Sequence, residues 1–470
     1  MRLFRHYIPV ALVLFALAET LVLLVSAYLG TLVALVAQQA STGNVYPIPL
    51  VVCTTTSLWA SAAVFCLSVL TGMVAMGFYQ RDQRHDPIEM FIRLTLSMLI
   101  GLLILYGLTL RDQPGGLFWT NVVVALLIAF IGITTSRLLC SDATNVRFAR
   151  RVLVLGIGSR AHQIEKLRRA ADRAGIVIVG YVDSGLDVQV VADTAVIRRS
   201  GSLRELTDRF SIDEIVVAID ERRKGLPVNE ILECKMNGVS VLEVGTFLER
   251  QLGKIRLDEI QPSNIIFSDG FTEAVLKKTE KRLLDILLAS LLLALALPLM
   301  CVTAIAILAE SGGPIFYRQS RVGLLGKIFE VYKFRSMRVD AEGDGQAVWA
   351  QKNDSRITRT GRFLRRTRID ELPQLLNVLR GEMSFVGPRP ERPEFVKDLE
   401  ATIPYFALRH YIKPGITGWA QVSYPYGASV NDALEKLQYD LYYLKNYSVF
   451  LDINVLIQTV QVVLWGKGAL

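Results

Sequence analysis

Sulfur and imidazole are scarce in this sequence. Five cysteines occur in 470 residues, none of them in a Cys-x-x-Cys pair. Cys53, Cys66 and Cys301 lie in apolar runs, Cys140 at the edge of one and Cys234 in a hydrophilic stretch. They read as buried free thiols, and their spacing supports neither a disulfide framework nor a zinc site. The four histidines, His6, His85, His162 and His410, stand at no metal-ligand spacing. An acid, base or nucleophile is therefore sought among the carboxylates. Charge of one sign is also thin. A formal net charge of +8 gives no reason to expect nucleic acid as a partner. What the chain has in quantity is apolar residues, 51%, beside 20% charged ones. That mixture excludes a disordered chain and points to membrane segments and hydrophilic domains sharing one polypeptide.

Four apolar runs, Ile8–Ala37, Leu50–Phe78, Phe91–Leu110 and Phe118–Leu139, fill the first 140 residues. Each reaches the roughly 20 residues that a helix needs to cross a bilayer, so residues 1–145 are expected to form a four-helix transmembrane domain. The first run is too long and too poorly cut for a removable signal peptide. Arg2, Arg5, Arg81, Arg84, Arg147, Arg150 and Arg151 cluster at alternate ends, while Gln38–Pro49 has no Lys or Arg and the third connection only Arg111. Both ends of the bundle should face the cytoplasm. Glu19, inside the first run, is expected to make an interhelical hydrogen bond.

A fifth run, Leu283–Ala309, contains one charge, Asp285, and is interrupted by Pro298. Basic residues flank both sides: Lys277, Lys278, Lys281 and Arg282 before it, Arg318, Arg321 and Lys327 after. A crossing helix would strand one basic group on the wrong side. Leu283–Leu297 amounts to about 22 Å of helix, too short to cross. A re-entrant hairpin bent at Pro298 is therefore expected. Val449–Leu464, short and interrupted by Asp452, Asn454 and Gln458, fits an interfacial helix.

Between residues 146 and 267, β-rich runs alternate with polar helical stretches, the pattern of a Rossmann-like parallel α/β domain. Strand Arg151–Leu155 leads into Gly156-x-Gly158-x-x-Ala161 and a helix to about Ala174. Ile176–Val182 ends at Asp183; Glu214–Ile219 and Val239–Val244 read as later strands, with a helix near Asn229–Met236. Gly156 and Gly158 would let helix amides approach a diphosphate, with Asp183 on a ribose hydroxyl. Equally, the glycines serve a tight strand-to-helix turn. No Tyr-x-x-x-Lys pair occurs anywhere, which counts against NAD-dependent dehydratase or epimerase chemistry here. A domain that only senses a nucleotide is a further alternative.

The last third is strongly basic: six Lys or Arg against Glu330 from Arg318 to Arg338, and seven against Asp354 from Lys352 to Arg368. Such runs suit a solvated face or anionic headgroups, and a few arginines are suited to phosphates. In Arg365-Arg-Thr-Arg-Ile-Asp370-Glu371-Leu-Pro373, Leu372, Leu375, Leu376 and Leu379 share one helical face and Gly381 suits a C-terminal cap. Asp370 and Glu371 therefore stand at a helix N-terminus. Alone they would be a cap and a dipole-favoured acid. Beside several arginines, two adjacent carboxylates can also hold a divalent metal and offer a nucleophile.

The segment from Asp370 through Leu-Pro-Gln-Leu-Leu-Asn-Val-Leu-Arg-Gly-Glu-Met-Ser-Phe-Val-Gly-Pro-Arg-Pro390 resembles the signature of the bacterial polyprenyl-phosphate sugar-1-phosphate transferases, the monotopic phosphoglycosyl transferases. Lys281-Arg282-x-x-Asp285, Gly313–Gln319, Tyr332-Lys-Phe-Arg-Ser-Met337 and Lys413–Gln421 match further blocks in the same order. The likeness covers residues 278–468, and the four spans plus α/β domain resemble the larger members. It implies a membrane α-helical bundle, a Rossmann-like domain and a mainly α-helical catalytic domain (268–470) anchored by a re-entrant membrane helix at 283–309. It further implies a bacterial inner-membrane enzyme with its catalytic domain on the cytoplasmic face, and a homodimer. The implied reaction is transfer of a sugar 1-phosphate from a UDP-sugar to undecaprenyl phosphate, with Mg2+ and release of UMP. This would begin exopolysaccharide, capsule or O-antigen repeats. Asp370 matches the family's nucleophile, and Glu371 would help hold the metal or acceptor phosphate. Arg365 and Arg389 are implied phosphate contacts. Lys281 would meet the lipid phosphate or an ordinary headgroup, and Lys333 and Arg335 would contact phosphate or serve the surface. Smaller members carry Ser-Pro at the bend where this chain has Leu297-Pro298.

Overall fold

The computed structural model describes the chain apart from residues 4–5, 8–9, 43–55, 80–86, 110–115, 168–170, 222–225, 260–270, 272–274, 340–355, 466–470 and scattered single positions. Arg5, Arg81, Arg84, His85, Arg111, Lys352, Asp354 and Cys53, used above, lie outside the described residues. Packing divides the chain between Phe247 and Leu248.

The first unit begins with four apolar helices, α1 (Val10–Thr42), α2 (Thr56–Ala75), α3 (Pro87–Thr109) and α4 (Gly116–Arg147). Leu17, Leu21, Leu103, Leu127 and Ile131 point outward and are exposed, which suits hydrocarbon rather than water as surroundings. Inside, small residues let backbones touch. A Cβ on Gly72 of α2 would sit 2.1 Å from the Ser97 carbonyl oxygen of α3. Glu19 of α1 is fully buried and has found its partner. Arg137 of α4 donates from Nε to Oε1 at 2.5 Å and from Nη2 to Oε2 at 3.0 Å, and the Tyr79 hydroxyl adds a bond of 2.7 Å. The guanidinium also lies 4.6 Å from the centre of the Phe78 ring.

After these helices comes a five-stranded parallel sheet. Its strands are β1 (Arg150–Leu155), β2 (Ile176–Val182), β3 (Val196–Ile197), β4 (Glu214–Val217) and β5 (Ser240–Glu243), in the order β3-β2-β1-β4-β5. Helices α5 (Ser159–Glu165), α6 (Leu203–Arg209) and α7 (Val228–Met236) connect them. Leu153, Leu155, Val182, Ile215 and Ile219 are buried in one core with Leu203 and Cys234, as near-continuous apolar strands of a covered parallel sheet require. Helix α5 ends at Glu165 and not near Ala174; a 3-10 turn, Ala171–Arg173, precedes β2. Helix α8 (Val244–Leu252) crosses the division.

The second unit takes in Leu248–Glu259. Ile255 N donates to Gln438 O, and Trp419 Nε1 to Gly253 O. Helix α9 (Val275–Ser311) leads to the antiparallel hairpin β6 (Phe316–Val322) and β7 (Ile328–Phe334). Next come α10 (Arg359–Thr367), a 3-10 turn (Ile369–Glu371), α11 (Gln374–Arg380) and β8 (Ser384–Val386). After α12 (Pro393–Thr402), β9 (Gly415–Thr417) pairs parallel with β8, and α13 (Trp419–Ser423), α14 (Val430–Asn446) and α15 (Val449–Trp465) complete the unit. Leu375, Met383, Val386, Leu441, Tyr442 and Tyr443 lie at its centre.

Helix α9 contains the apolar run and continues through Pro298 without a break in the helix. Proline removes a single backbone donor, and packing on both sides holds the helix together: Ala289 lies in the main core, Met300 and Ile307 in a second cluster with Phe334 and Leu364. Cys301, expected to be buried, is exposed on this helix, whereas Cys66 and Cys234 are buried.

Candidate active site

The chain reverses sharply between α10 and α11. Arg368 adopts the left-handed conformation, φ 60°, and the 3-10 turn that follows carries Asp370 and Glu371. Pro373 then starts α11, where its missing N–H matters least. Strand β7 is fastened beside this helix by the fully buried Asn377. Its Oδ1 accepts from Tyr332 N at 3.1 Å, and its Nδ2 donates to Glu330 O at 2.7 Å. Lys333, next along β7, donates from Nζ to Glu371 Oε1 at 3.0 Å. Arg368 Nη1 and Arg389 Nη2 each approach the same oxygen at 3.7 Å. Burial opposes ionisation of Glu371, but Lys333, Arg389 and Arg368 together outweigh it and hold its carboxyl at about 2.

Asp370 is in the opposite position. It is 7% exposed, and Oδ1 is buried with no hydrogen-bond partner among the described residues. Burial, then the neighbouring Glu371 charge, push its carboxyl above the usual aspartate value, against the pull of Lys333, Arg365 and Arg368. A buried carboxylate oxygen without a donor costs free energy unless something binds it. A cation or an electrophile would meet that need. Asp370 and Glu371 supply two oxygen-bearing side chains, a number that suits Mg2+, which keeps waters and substrate oxygens for its other positions. Among the described residues no group of three or more His, Cys, Asp or Glu side chains could hold a metal ion.

Arg365 Nε donates to Ser336 Oγ at 2.8 Å. Arg389 belongs to the Pro-Arg-Pro loop, whose backbone is held by two other arginines: Arg409 Nη2 donates to Arg389 O at 3.0 Å and Arg321 Nη1 to Pro390 O at 3.0 Å. Arg409 is itself fixed by buried Asp440 at 2.8 Å. A small pocket beside the loop is lined by Gly323, Pro388, Arg389, Pro390 and His410 among others. Burial and then Arg409 lower the His410 imidazole to about 4, so it is neutral near pH 7.

Of the residues singled out from sequence, Asp370, Glu371, Arg365, Arg389 and Lys333 therefore act on one another. Two others are occupied elsewhere. Lys281 is buried and spends its ammonium on Asp452 Oδ2 at 2.7 Å, Val386 O at 2.9 Å and the Tyr443 hydroxyl at 3.0 Å. An ammonium has three donors, so none is left for a lipid phosphate. Arg335 is buried, not superficial; its Nη2 donates to Ser311 O and Gly312 O at 3.1 and 2.6 Å, closing the end of α9. Its Nε and Nη1 have no hydrogen-bond partner among the described residues. Sequence reasoning missed Arg368, Ser336 and Arg409. Arg368 lay in the arginine run two residues before Asp370, but nothing in the spacing marked its left-handed turn.

The glycine turn of the α/β domain is filled by its own chain. At the switch point between β1 and β4, Asp220 Oδ2 accepts from Ser159 N at 2.8 Å and Oδ1 from Arg160 N at 2.9 Å. A Cβ on Gly158 would stand 2.3 Å from Asp220 Oδ2. Gly156, at φ +129°, brings the turn against the Ala218 carbonyl. Asp183 is engaged locally, accepting from Gly185 N at 2.8 Å. The amides that would receive a diphosphate thus hold a carboxylate, and the glycines serve turn geometry and close packing.

The family model described as bacterial sugar transferase matches residues 276–466, a range that contains the whole site. The chain is 39% identical over 239 residues to a UDP-N-acetylgalactosamine-undecaprenyl-phosphate N-acetylgalactosaminephosphotransferase of Aeromonas hydrophila, covering 51% of this chain and 56% of that one. It is 33% identical over 339 residues to the UDP-glucose:undecaprenyl-phosphate glucose-1-phosphate transferase of Xanthomonas campestris pv. campestris, covering 68% of each. A Caulobacter vibrioides protein of the same description is 38% identical over 266 residues, 53% of this chain and 99% of that one.

Proposed function

The chain belongs to the bacterial sugar transferase family, and on that premise we propose that it transfers a sugar 1-phosphate from a UDP-sugar to undecaprenyl phosphate, beginning synthesis of a polysaccharide. The observation that carries this reading is Asp370: a buried carboxylate with one unpartnered oxygen beside Lys333, Arg365 and Arg368.

In the first step a carboxylate oxygen of Asp370 attacks the phosphorus that bears the sugar. The bond from that phosphorus to the bridging oxygen breaks, and UMP departs with the electron pair. In the second step an oxygen of undecaprenyl phosphate attacks the same phosphorus. Asp370 leaves as carboxylate, and the product is a lipid diphosphosugar. Lys333, Arg368 and Arg389 keep Glu371 ionised and place positive charge where phosphate oxygens gather. Arg365 opposes the rise in the Asp370 pKa and keeps a larger share of it nucleophilic. Mg2+, held by Asp370 and Glu371, would offset the repulsion between an anionic nucleophile and an anionic diphosphate.

Domain limits of 1–145, 146–267 and 268–470 belong to this proposal, as does a position in the bacterial inner membrane with the site facing the cytoplasm. So does a re-entrant course for α9. Its support is that both flanks of the apolar run serve the same folded unit. At one end Asp285 Oδ1 accepts from Phe385 N at 3.0 Å; at the other, the Glu310 carboxylate accepts from Arg359 N and Thr360 N, each at 2.8 Å. A helix crossing the bilayer would carry those ends to opposite sides. The exposed Leu287, Leu291, Leu295 and Ile305 would then face lipid from one leaflet.

The test is nucleotide release by the full-length protein in detergent with Mg2+, undecaprenyl phosphate and a panel of UDP-sugars that includes UDP-glucose and UDP-N-acetylgalactosamine. UMP is expected with one donor. Release of UDP instead would indicate simple glycosyl transfer and discard the phosphosugar intermediate.

A further inference from the structure

Two cations meet at the far end of the helix that begins at the active site. Helix α11 closes on Gly381, which at φ +82° has no side chain to fill the space above it. A Cβ there would lie 3.4 Å from Arg282 Nη2 and 3.5 Å from Lys413 Nζ. The two nitrogens therefore lie within about 7 Å of each other, a separation that Coulomb repulsion opposes. Arg282 has an evident duty, donating from Nη1 to Val378 O at 2.6 Å and from Nη2 to Leu379 O at 2.7 Å, which satisfies carbonyls at the helix end. Lys413 shares no such duty. Among the described residues its ammonium has neither a hydrogen-bond acceptor nor an ion-pair partner within reach. The acid that acts on it, Asp285, is engaged elsewhere, its Oδ1 accepting from Ser384 Oγ and Phe385 N. Burial, then Arg282, depress the lysine's pKa, and the Asp285 charge only partly opposes them.

The position says which anion would come. Arg282 directly precedes the apolar run, and Leu283 and Leu287 are each 60% exposed. Tyr411, two residues before Lys413, is exposed as well, an arrangement common where protein meets headgroups. Asp370 precedes Gly381 by eleven residues, or about 16 Å of helical rise. A phosphate held here is too far away to be the one that Asp370 attacks.

We propose that Lys413, together with Arg282, receives the phosphodiester of an anionic phospholipid headgroup, a lipid site separate from the transfer reaction. The occupant supplies the missing counterion and sets the catalytic unit against an anionic membrane surface.

Amine acetylation of the full-length protein in nanodiscs, read by mass spectrometry at each lysine, tests this without reference to activity. Lys413 should label several-fold more slowly in discs containing phosphatidylglycerol than in phosphatidylcholine discs, while Lys278, exposed on the same flank, changes little. Equal slowing of both lysines would indicate surface potential alone and overturn the site. Equal Lys413 labelling in the two discs would overturn it too. Millimolar inorganic phosphate in phosphatidylcholine discs should give no protection; full protection would assign the site to free phosphate and not lipid. Lys413→Gln should lower the phosphatidylglycerol retained through purification, and Lys413→Arg should keep it. Loss in neither variant refutes the proposal, whatever the transfer assay shows.

Discussion

Lys333 donates a hydrogen bond to Glu371 at 3.0 Å, while Asp370, the next residue back along the chain, keeps Oδ1 buried and unpartnered. The two neighbouring carboxylates are thus prepared for different work. Glu371 is fixed as an anion by surrounding cations. Asp370 is left free to form a bond. Asp370→Asn should reduce UMP release by at least about a thousandfold, the scale of loss when a nucleophile is removed. Expression and membrane insertion should be unaffected. The same change removes a buried charge, so the variant should melt no lower than the parent at neutral pH. Normal turnover by Asp370→Asn would end the nucleophile assignment.

The two carboxylates also predict the pH dependence. The folded Asp370 pKa lies above 3.8, so its ionised form opposes folding, and the associated stability is present in acid and lost as pH rises through that value. Attack by Asp370, as proposed, needs the ionised form. The acid limb of kcat/KM for UMP release should therefore fall above pH 3.8, where Glu371, at about 2, is still charged. Glu371 has the opposite sign: its stability is present above the unfolded value and is lost only as pH falls towards 2. Lys333→Gln should raise the Glu371 pKa and weaken turnover. A parent acid limb at or below 3.8 would contradict the burial of Asp370.

Much of this was legible in the residues, for identifiable reasons. The apolar runs revealed the helices because crossing or entering a bilayer demands length and hydrophobicity. The α/β sheet was legible because its strands alternate with polar helices. The Asp370–Glu371 pair could be found because a leucine face, a proline and a glycine cap frame it. Pairings distant in sequence were not legible. Glu19 gave no hint of Arg137, 118 residues away, and Gly158 gave none of Asp220. Lys281 looked like a headgroup contact because sequence shows a cation beside an apolar run, not the Asp452 that consumes it. Pro298 suggested a bend, and α9 runs through that proline as one helix with packing along both halves.

Lys281 offers a direct check on that reassignment. Removing one partner of a buried ion pair leaves an uncompensated charge and costs about 3–5 kcal/mol. Lys281→Met should therefore lower the melting temperature markedly in detergent, and adding Asp452→Leu should restore a substantial part of it. KM for undecaprenyl phosphate should change little in any folded variant. A large rise in that KM with unchanged stability would return Lys281 to the lipid phosphate.

Ser336 is expected to act through Arg365. Its hydroxyl accepts the Arg365 Nε–H at 2.8 Å, which fixes the plane of the guanidinium, and that charge is one of three lowering the Asp370 pKa. The backbone here is clamped independently, since Thr358 N donates to Ser336 O and a Cβ on Gly361 would come within 1.9 Å of that oxygen. Ser336→Ala should thus leave the fold in place while freeing the guanidinium to wander. Losing about 1 kcal/mol of orientation corresponds to roughly a fivefold fall in kcat/KM. The acid limb should move to higher pH because Asp370 loses a stabilising charge. Ser336→Thr, which keeps the hydroxyl, should restore both. A drop in rate with an unmoved acid limb would mean that Ser336 serves packing alone, and Arg365 would then owe its position to α10.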